Sequence, residues 1–271
     1  MSDSTGADTY THGHHEAVLR AHRWRTAENS AAYLLPHLRP GMSLLDVGCG
    51  PGTLTADLAA RVAPGAVLGI DLSTAVVAEA EAHARDAGVP NLRFRSGDFR
   101  SAGLAERGFD VVHAHQVLQH LRDPVGALRA MGRLARRDGI VAARDGDYSA
   151  MVWWPADPRL DRWREIYLEV TRRNGAEADA GRRLAGWAAE AGLADVAYST
   201  STWTFATTAE RGWWSELWAE RTTSSSLGRQ AVEYGIATPS ELAGVAAGWR
   251  AFGAAAGGVF IVVSGEIIAR P

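Results

Sequence analysis

The chain has 271 residues, 46% of them hydrophobic, and a formal net charge of −3. A chain of this length buries about 70–75% of its unfolded surface and suits one globular unit with embellishments. The slightly acidic balance argues against a strongly electropositive nucleic-acid surface, no apolar run approaches the ~20 residues of a membrane span, and the single cysteine, Cys49, rules out an intrachain disulfide framework or a multi-cysteine zinc site. The basic pairs Arg136-Arg137, Arg172-Arg173 and Arg182-Arg183 stand among acids and read as solvated helix faces. The polar start Met1-Ser2-Asp3-Ser4-Thr5-Gly6 has no apolar leader stretch, so a soluble, cytoplasmic protein is expected.

After a polar start over residues 1–12, the spacing of Val18, Leu19, Trp24, Ala31, Ala32, Leu34 and Leu35 predicts a helix from Glu16 to Leu38, stopped by Pro40-Gly41. Strands and helices then alternate. Strands are expected at 43–47, 66–70, 91–95, 109–114 and 139–144. Helices are expected at 53–62, from the Ser73 cap to Asp86, and from Asp123-Pro124 to Ala135. Five apolar strands separated by helices imply a parallel sheet covered on both faces, an α/β doubly wound arrangement. After Tyr148 the rhythm changes: helices at 160–173 and 181–191, a strand at 194–204, helices at 213–219 and 240–255, and a final strand from Gly258 to Arg270. The roughly 50 residues between the last two strands exceed any hairpin loop and read as a lid over the carboxyl edge of the sheet.

The first strand runs into Asp46-Val47-Gly48-Cys49-Gly50-Pro51-Gly52 and then a helix. Glycines let backbone approach a ligand closely, and an open helix start offers unpaired N–H groups and partial positive charge. The Gly-x-Gly-x-Gly spacing differs from the Gly-x-Gly-x-x-Gly that seats a pyrophosphate. A carboxylate at Asp46 would repel a pyrophosphate and suit a cationic amino group, such as that of S-adenosylmethionine (SAM). Asp71 ends the second strand, where an acid accepts hydrogen bonds from ribose hydroxyls, although helix capping is the competing role. Asp98 and Phe99, after the third strand, are placed to meet an adenine amino group and ring; Asp98 as a plain turn residue is the alternative.

These motifs, together with Gly69-Ile70-Asp71-Leu72-Ser73, Gly97-Asp98-Phe99, Phe109-Asp110-Val111-Val112 and Val117-Leu118-Gln119-His120-Leu121, resemble the ordered motifs of class I SAM-dependent methyltransferases, nearest to the UbiE-like small-molecule branch. The resemblance covers residues 43–145. It implies a Rossmann-like seven-stranded sheet of order 3-2-1-4-5-7-6, last strand antiparallel, with a helical N-terminal cap and helical lid insertions. It implies a cap over residues 1–42, a SAM-binding core over 43–150, and the remaining strands with lid insertions (about 151–192 and 207–257) over 151–271. It also implies that Gly48 and Gly50 hold the methionine part, Asp71 and Leu72 the ribose end, Asp98 and Phe99 the adenine, and that His115 and Gln116 line the methyl-transfer mouth.

Around this core the residues leave more open. Tyr10 and Arg25 are candidates to cover the cofactor and pair with its carboxylate, with ordinary cap packing as the alternative. His12, His14 and His15 lack the surrounding ligands of a zinc site, and no metal is expected. His14, His120 and Asp147 are candidate general bases, since imidazole titrates near neutrality; His120 is equally readable as a packed residue. Asp145 and Tyr148 share the carboxyl edge with Asp147. Cys49 lacks a partner base. Ten tryptophans, nine of them from Trp153 onward, suggest either a lid core or an aromatic pocket wall. The expected activity is methyl transfer to an apolar, aromatic small molecule (a phenol, quinone or indole), in a biosynthetic role. No nucleic-acid partner is expected, and a homodimer is conceivable. A catalytically repurposed SAM-binding protein is the first rival reading, and an NAD-dependent oxidoreductase the second.

Overall fold

The computed structural model describes residues 16–271, with side chains from Leu19 onward. Tyr10 and His14, and with them His12 and His15, lie outside the described residues. Five strands, β1 (Leu44–Val47), β2 (Val67–Asp71), β3 (Leu92–Ser96), β4 (Phe109–His115) and β5 (Ala135–Gly146), form a parallel sheet in the order β3-β2-β1-β4-β5. The final strand β8 (Val259–Arg270) runs antiparallel to β5, with Arg144 opposite Glu266. β7 (Ala194–Phe205) pairs along the other side of β8, with Ser201 opposite Ser264. The expected strand order is therefore present, with one addition. A short β6 (Val152–Trp154) pairs with Val259, Phe260 and Ile261 of β8. Three residues before a proline are too few to show any period, which is why the sequence pattern passes over it.

Helices α3 (Thr53–Val62), α4 (Thr74–Asp86), α5 (Pro124–Leu134) and α7 (Ala180–Glu190) accompany the sheet, while α6 (Pro158–Arg173), α8 (Thr208–Ser224), α9 (Ser226–Glu233) and α10 (Pro239–Ala254) form the lid. Caps fix their starts: the Ser73 hydroxyl accepts from Val76 N (3.3 Å), and an Asp123 carboxylate oxygen from Gly126 N (2.7 Å). The single N-terminal helix expected over 16–38 is broken. α1 (Glu16–Arg23) stops, and α2 (Ala27–Ser30) begins anew at a capping box. In it Asn29 N donates to Thr26 Oγ1 (3.2 Å) and Thr26 N to Asn29 Oδ1 (2.8 Å). A side chain that satisfies its own backbone favours a helix start over a helix interior. α9 was not expected either. It begins where Ser225 closes α8 and caps the next helix, accepting from Leu227 N (3.2 Å).

The lid has a core of its own, and it is aromatic. Trp163, Trp214, Trp218, Trp249 and Phe260 are all at most 4% exposed. Trp163 meets Trp218 and Trp249 edge-on, at 4.7 and 4.9 Å between ring centroids. Such pairs add roughly 0.5–1.5 kcal/mol each beyond the area they bury. This cluster seats the lid on β8 and brings α8 toward α1, above the carboxyl ends of β1, β4 and β5.

Candidate functional site

The loop after β1 is shaped by its glycines. Gly48 has φ +68°, and a Cβ there would stand 2.5 Å from a Val117 methyl. Gly52, at φ +81°, is the N-cap of α3 and sits against Phe94 and Ala80. Both positions need a left-handed backbone and close approach, which only glycine gives without strain. Asp71 then fastens the loop from the next strand: its carboxylate accepts from Gly50 N (3.1 Å) and from Ser73 N (3.0 Å). The loop, Asp71, Leu72, Asp98, Phe99, His115 and Gln116 line one cleft of about 180 Å³. The structure thus brings together all the described cofactor candidates, Arg25 and Asp46 included.

Within the cleft, several residues do work beyond what their position suggested. Asp46 is buried and engaged: Thr55 Oγ1 donates to one oxygen (2.6 Å) and His113 Nδ1 to the other (2.8 Å). Its first task is to tie α3 and β4 to the loop. Asp98 forms an ion pair with Arg100 (2.9 Å). Partial burial raises its proton affinity, but the Arg100 hydrogen bonds prevail and hold it below the usual carboxylate range. Leu72 is 63% exposed and forms an apolar rim, while Phe99 is buried.

The opposite end of the cleft is built by β4 and the turn beyond it. Gln116 has φ +53°. Its backbone N donates to Arg144 O (2.7 Å), and its side-chain oxygen accepts from Arg25 Nη2 (2.5 Å). Arg25 thereby reaches the cleft from beyond α1. His115 is buried, and neither ring nitrogen has a hydrogen-bond partner among the described residues. Burial, then Arg25, Arg144, His113 and His22, hold its pKa well below the ordinary value. His120 is likewise neutral: burial first, then Arg25, bring its pKa down to about 3. The Gln119 amide nitrogen lies 3.1 Å from His120 Nε2.

Asp147 does not join this group, and its expected role as a base is corrected. Its side chain leaves the sheet edge toward α7, where Arg182 grips both carboxylate oxygens, Nε on one of them at 2.6 Å. It also caps the turn at Ala150 N (3.2 Å) and lines neither the cleft nor the chamber described next. Arg182 is correspondingly more than a solvated basic residue. Asp145 is wholly buried, and burial raises its pKa to about 7 against the opposing hydrogen bonds from Gln119 and Leu118. Burial, Asp46 and Asp71 push the Cys49 thiol up, which leaves it a poor nucleophile.

A narrow chamber of about 30 Å³ continues from the cleft beneath the lid. It shares His22, Arg25, Gln116 and His120 with the cleft. Trp24, Trp203, Trp214 and Trp218 wall it, with Tyr148. Both readings of the tryptophan enrichment therefore apply: Trp163 and Trp249 are lid core, and Trp214 and Trp218 are core and chamber wall at once. Sequence reasoning missed His22 and Trp203. His22 lies under the glycine loop, its carbonyl accepting from Thr53 Oγ1 (3.2 Å). Trp203 on β7 stands edge-on to Trp24 at 5.2 Å, with Nε1 donating to Asn29 O (2.5 Å). Among the described residues no three His, Cys, Asp or Glu side chains gather as a metal site, and no helix is long and apolar enough to cross a membrane.

Comparison with known proteins gives a consistent result. Residues 38–184 match a family model described as a methyltransferase domain. An uncharacterized methyltransferase of Schizosaccharomyces pombe is 30% identical over 99% of this chain and 98% of its own length. A probable methyltransferase, ltbC, of Aspergillus luteorubrus is 30% identical over 77% of this chain and 79% of its own. The crystal structure of the YcgJ protein of Bacillus subtilis superposes with a TM-score of 0.57 at 18% identity, covering 89% of this chain and 97% of that one, a likeness of fold.

Proposed function

We propose that this chain, which belongs to the methyltransferase family with its domain matching residues 38–184 and is SAM-dependent, methylates an aromatic small molecule at the end of the cofactor cleft that the tryptophan-walled chamber borders. One observation carries this reading: the chamber and the cofactor cleft are neighbours that share His22, Arg25, Gln116 and His120 in their linings. The glycine-spaced family match removes the reason to consider a dinucleotide oxidoreductase.

The cleft fits the cofactor because its floor is the backbone of the glycine loop, with the Asp71 carboxylate fastened to Gly50 N beside it. In this reading Gly48 and Gly50 hold the methionine part, Asp71 accepts from the ribose hydroxyls, and Leu72, Asp98 and Phe99 border the adenine. Arg25, at the cleft end of the N-terminal segment, faces the carboxylate. When bound, SAM supplies a methyl carbon already activated by its sulfonium. The chain's own contribution is to align an acceptor with that carbon and keep water out; alignment of this kind is worth up to about 7–11 kcal/mol. Trp24, Trp203 and Trp214 supply flat apolar walls that restrict the entry of water. His120 stands at the shared edge with a neutral ring, its Nε2 against the Gln119 amide; a pKa near 3 makes it a weak base, so in this reading it borders the acceptor and does not take its proton. Asp46 acts at one remove, holding His113 and the loop in register.

The test is transfer of label from methyl-labelled SAM to a panel of phenols, quinols, indoles and aliphatic amines. Label in the aromatic hydroxyl or ring fraction is expected. Label confined to the aliphatic amines, or none across the panel while SAM still binds, overturns the assignment.

A further inference from the structure

The part of the sheet that carries the lid has a second face. Along β6, the last residues of β7 and the first half of β8, covered side chains alternate with accessible ones, as they do when only one face of a sheet is packed. Phe260 and Val262, with Trp153, Trp203 and Phe205 beside them, belong to the lid side. Val259, Ile261 and Val263 point the other way. The register sets Val152 and Trp154 of β6 beside Ile261 and Val259, and Thr204 and Thr202 of β7 beside Ile261 and Val263. Helix α7 covers this outer face only as far as Gly265, where a Cβ would strike Gly181 O. Beyond that point Val152, Trp154, Val259, Ile261 and Val263 join none of the three hydrophobic cores among the described residues. Val152 and Trp154 are 57% and 64% exposed.

An antiparallel sheet with one solvated face ordinarily turns polar side chains to the water. Here β6 and β8 turn valine, isoleucine and tryptophan outward, β7 adds threonine, and no charged residue stands among them. None of these residues lines the cleft or the chamber, so the face is a surface and not a pocket. Its rim is neutral. Arg182 pairs with Asp147, whose backbone N donates to Val263 O (2.9 Å). Arg159 pairs with Asp157 (2.6 Å), just beyond Trp154 in the chain. With both cations held by carboxylates, the rim offers no excess charge to a nucleic acid or an anionic lipid surface.

We propose that a second copy of this chain covers the face, in a two-fold dimer whose axis runs along β8. The relief of the face selects its own copy. Trp154 stands tall on the β6 flank, and Thr202 and Thr204 are low on the β7 flank. Rotation about β8 exchanges the flanks, so each Trp154 lies over the threonines of the other copy and Ile261 meets its own counterpart. Every contact is thereby made twice, as an isologous interface requires. Sheets pack face to face in this manner about 10 Å apart, with strands within about 30° of each other. Two copies bury on the order of 1,000 Å², the lower bound of a specific interface, so the dimer is weak, with a dissociation constant on the order of 10–100 μM. Trp154 is its anchor, a large aromatic ring at the contact.

The experiment is sedimentation equilibrium of the full chain from about 1 to 300 μM. Wild type is expected to pass reversibly from monomer to dimer over that range. Trp154→Glu, which sets a charge against the opposed face, should weaken the dimer about tenfold or more. Val232→Glu is the control, an exposed apolar residue on α9, and should leave the dissociation constant unchanged. Both variants should keep the wild-type far-ultraviolet circular dichroism and thermal midpoint, which shows that they fold. Ile261→Cys should give a disulfide-linked dimer on oxidation, since the native thiol, Cys49, is buried. A monomer at every concentration overturns the proposal; if that monomer sediments with phosphatidylglycerol vesicles, the face belongs to a lipid surface instead. A dimer that survives Trp154→Glu, that Val232→Glu weakens as much, or that Ile261→Cys does not link also overturns it.

Discussion

The cofactor cleft and the acceptor chamber are built from different materials. The cleft is made mostly of backbone, from β1 to the turn after β4, and its shape depends on left-handed glycines and on one carboxylate, Asp71, that holds two amides. The chamber is made of side chains from distant segments: Trp24, Tyr148, Trp203, Trp214 and Arg221. A backbone cradle accepts one ligand shape and tolerates little change. An aromatic chamber walled by lid helices can change acceptor by changing side chains while the cradle stays as it is. The difference teaches that cofactor choice and acceptor choice are separable in this molecule, and that substitutions should divide along the same line.

The largest effect is expected in the lid. Trp163→Ala removes the ring at the centre of the aromatic core and should cost about 3–5 kcal/mol of stability by urea denaturation. The protein that remains folded should bind SAM with wild-type affinity; a parallel loss of affinity would break the division. On the other side of it, Gly48→Ala should weaken SAM binding about 100-fold by calorimetry, about 2.7 kcal/mol, because the new Cβ collides with Val117 at a backbone angle that disfavours alanine. Binding of an aromatic probe such as indole should change little.

Asp145, buried behind the turn after β4 where it accepts from Gln119 N, gives the next effect. Its folded pKa, about 7, stands above the ordinary value of about 3.9. The unfolded chain therefore releases this proton first as pH rises. The contribution to stability is complete below about pH 4 and is lost progressively up to about pH 7. A three-unit gap sets a ceiling of roughly 4 kcal/mol, and relaxation around the carboxylate should leave about 2. Asp145→Asn should therefore be more stable than wild type at pH 8 and near equal at pH 4, and identical differences at both values would contradict the assignment. Smallest is Asp147→Asn. With its carboxylate gripped by Arg182, it should lose about 1 kcal/mol of stability and leave turnover within about twofold. A drop in turnover of a hundredfold with stability intact would restore it as a base.

How much of this was legible in the sequence follows from the same division. The cleft could be read because each of its parts is local: a glycine loop after a strand, an acid at the next strand's end, a third acid after the third. The chamber could not, because Trp24 and Trp203 meet across 179 residues of chain (203 − 24) and nothing in either neighbourhood points to the other. The excess of tryptophan was a true signal without an address. Asp147 misled for a related reason. A position just past a strand's carboxyl end faces the ligand in general, but its direction here is set by Arg182, on a helix 35 residues later. The break after α1 was readable in principle: Thr26 and Asn29 stand at capping-box spacing, and the apolar periodicity across them outweighed that sign.

The central claim is that the cofactor's reactive end lies at the Gln116–His120 edge that cleft and chamber share. A crystal structure with S-adenosylhomocysteine tests it most directly. The account predicts ligand density running from Asp71 across the glycine loop, with the thioether at that edge and open toward Trp203. Density with the thioether at the Leu72–Asp98 rim, or a ligand seated within the tryptophan chamber itself, would contradict it.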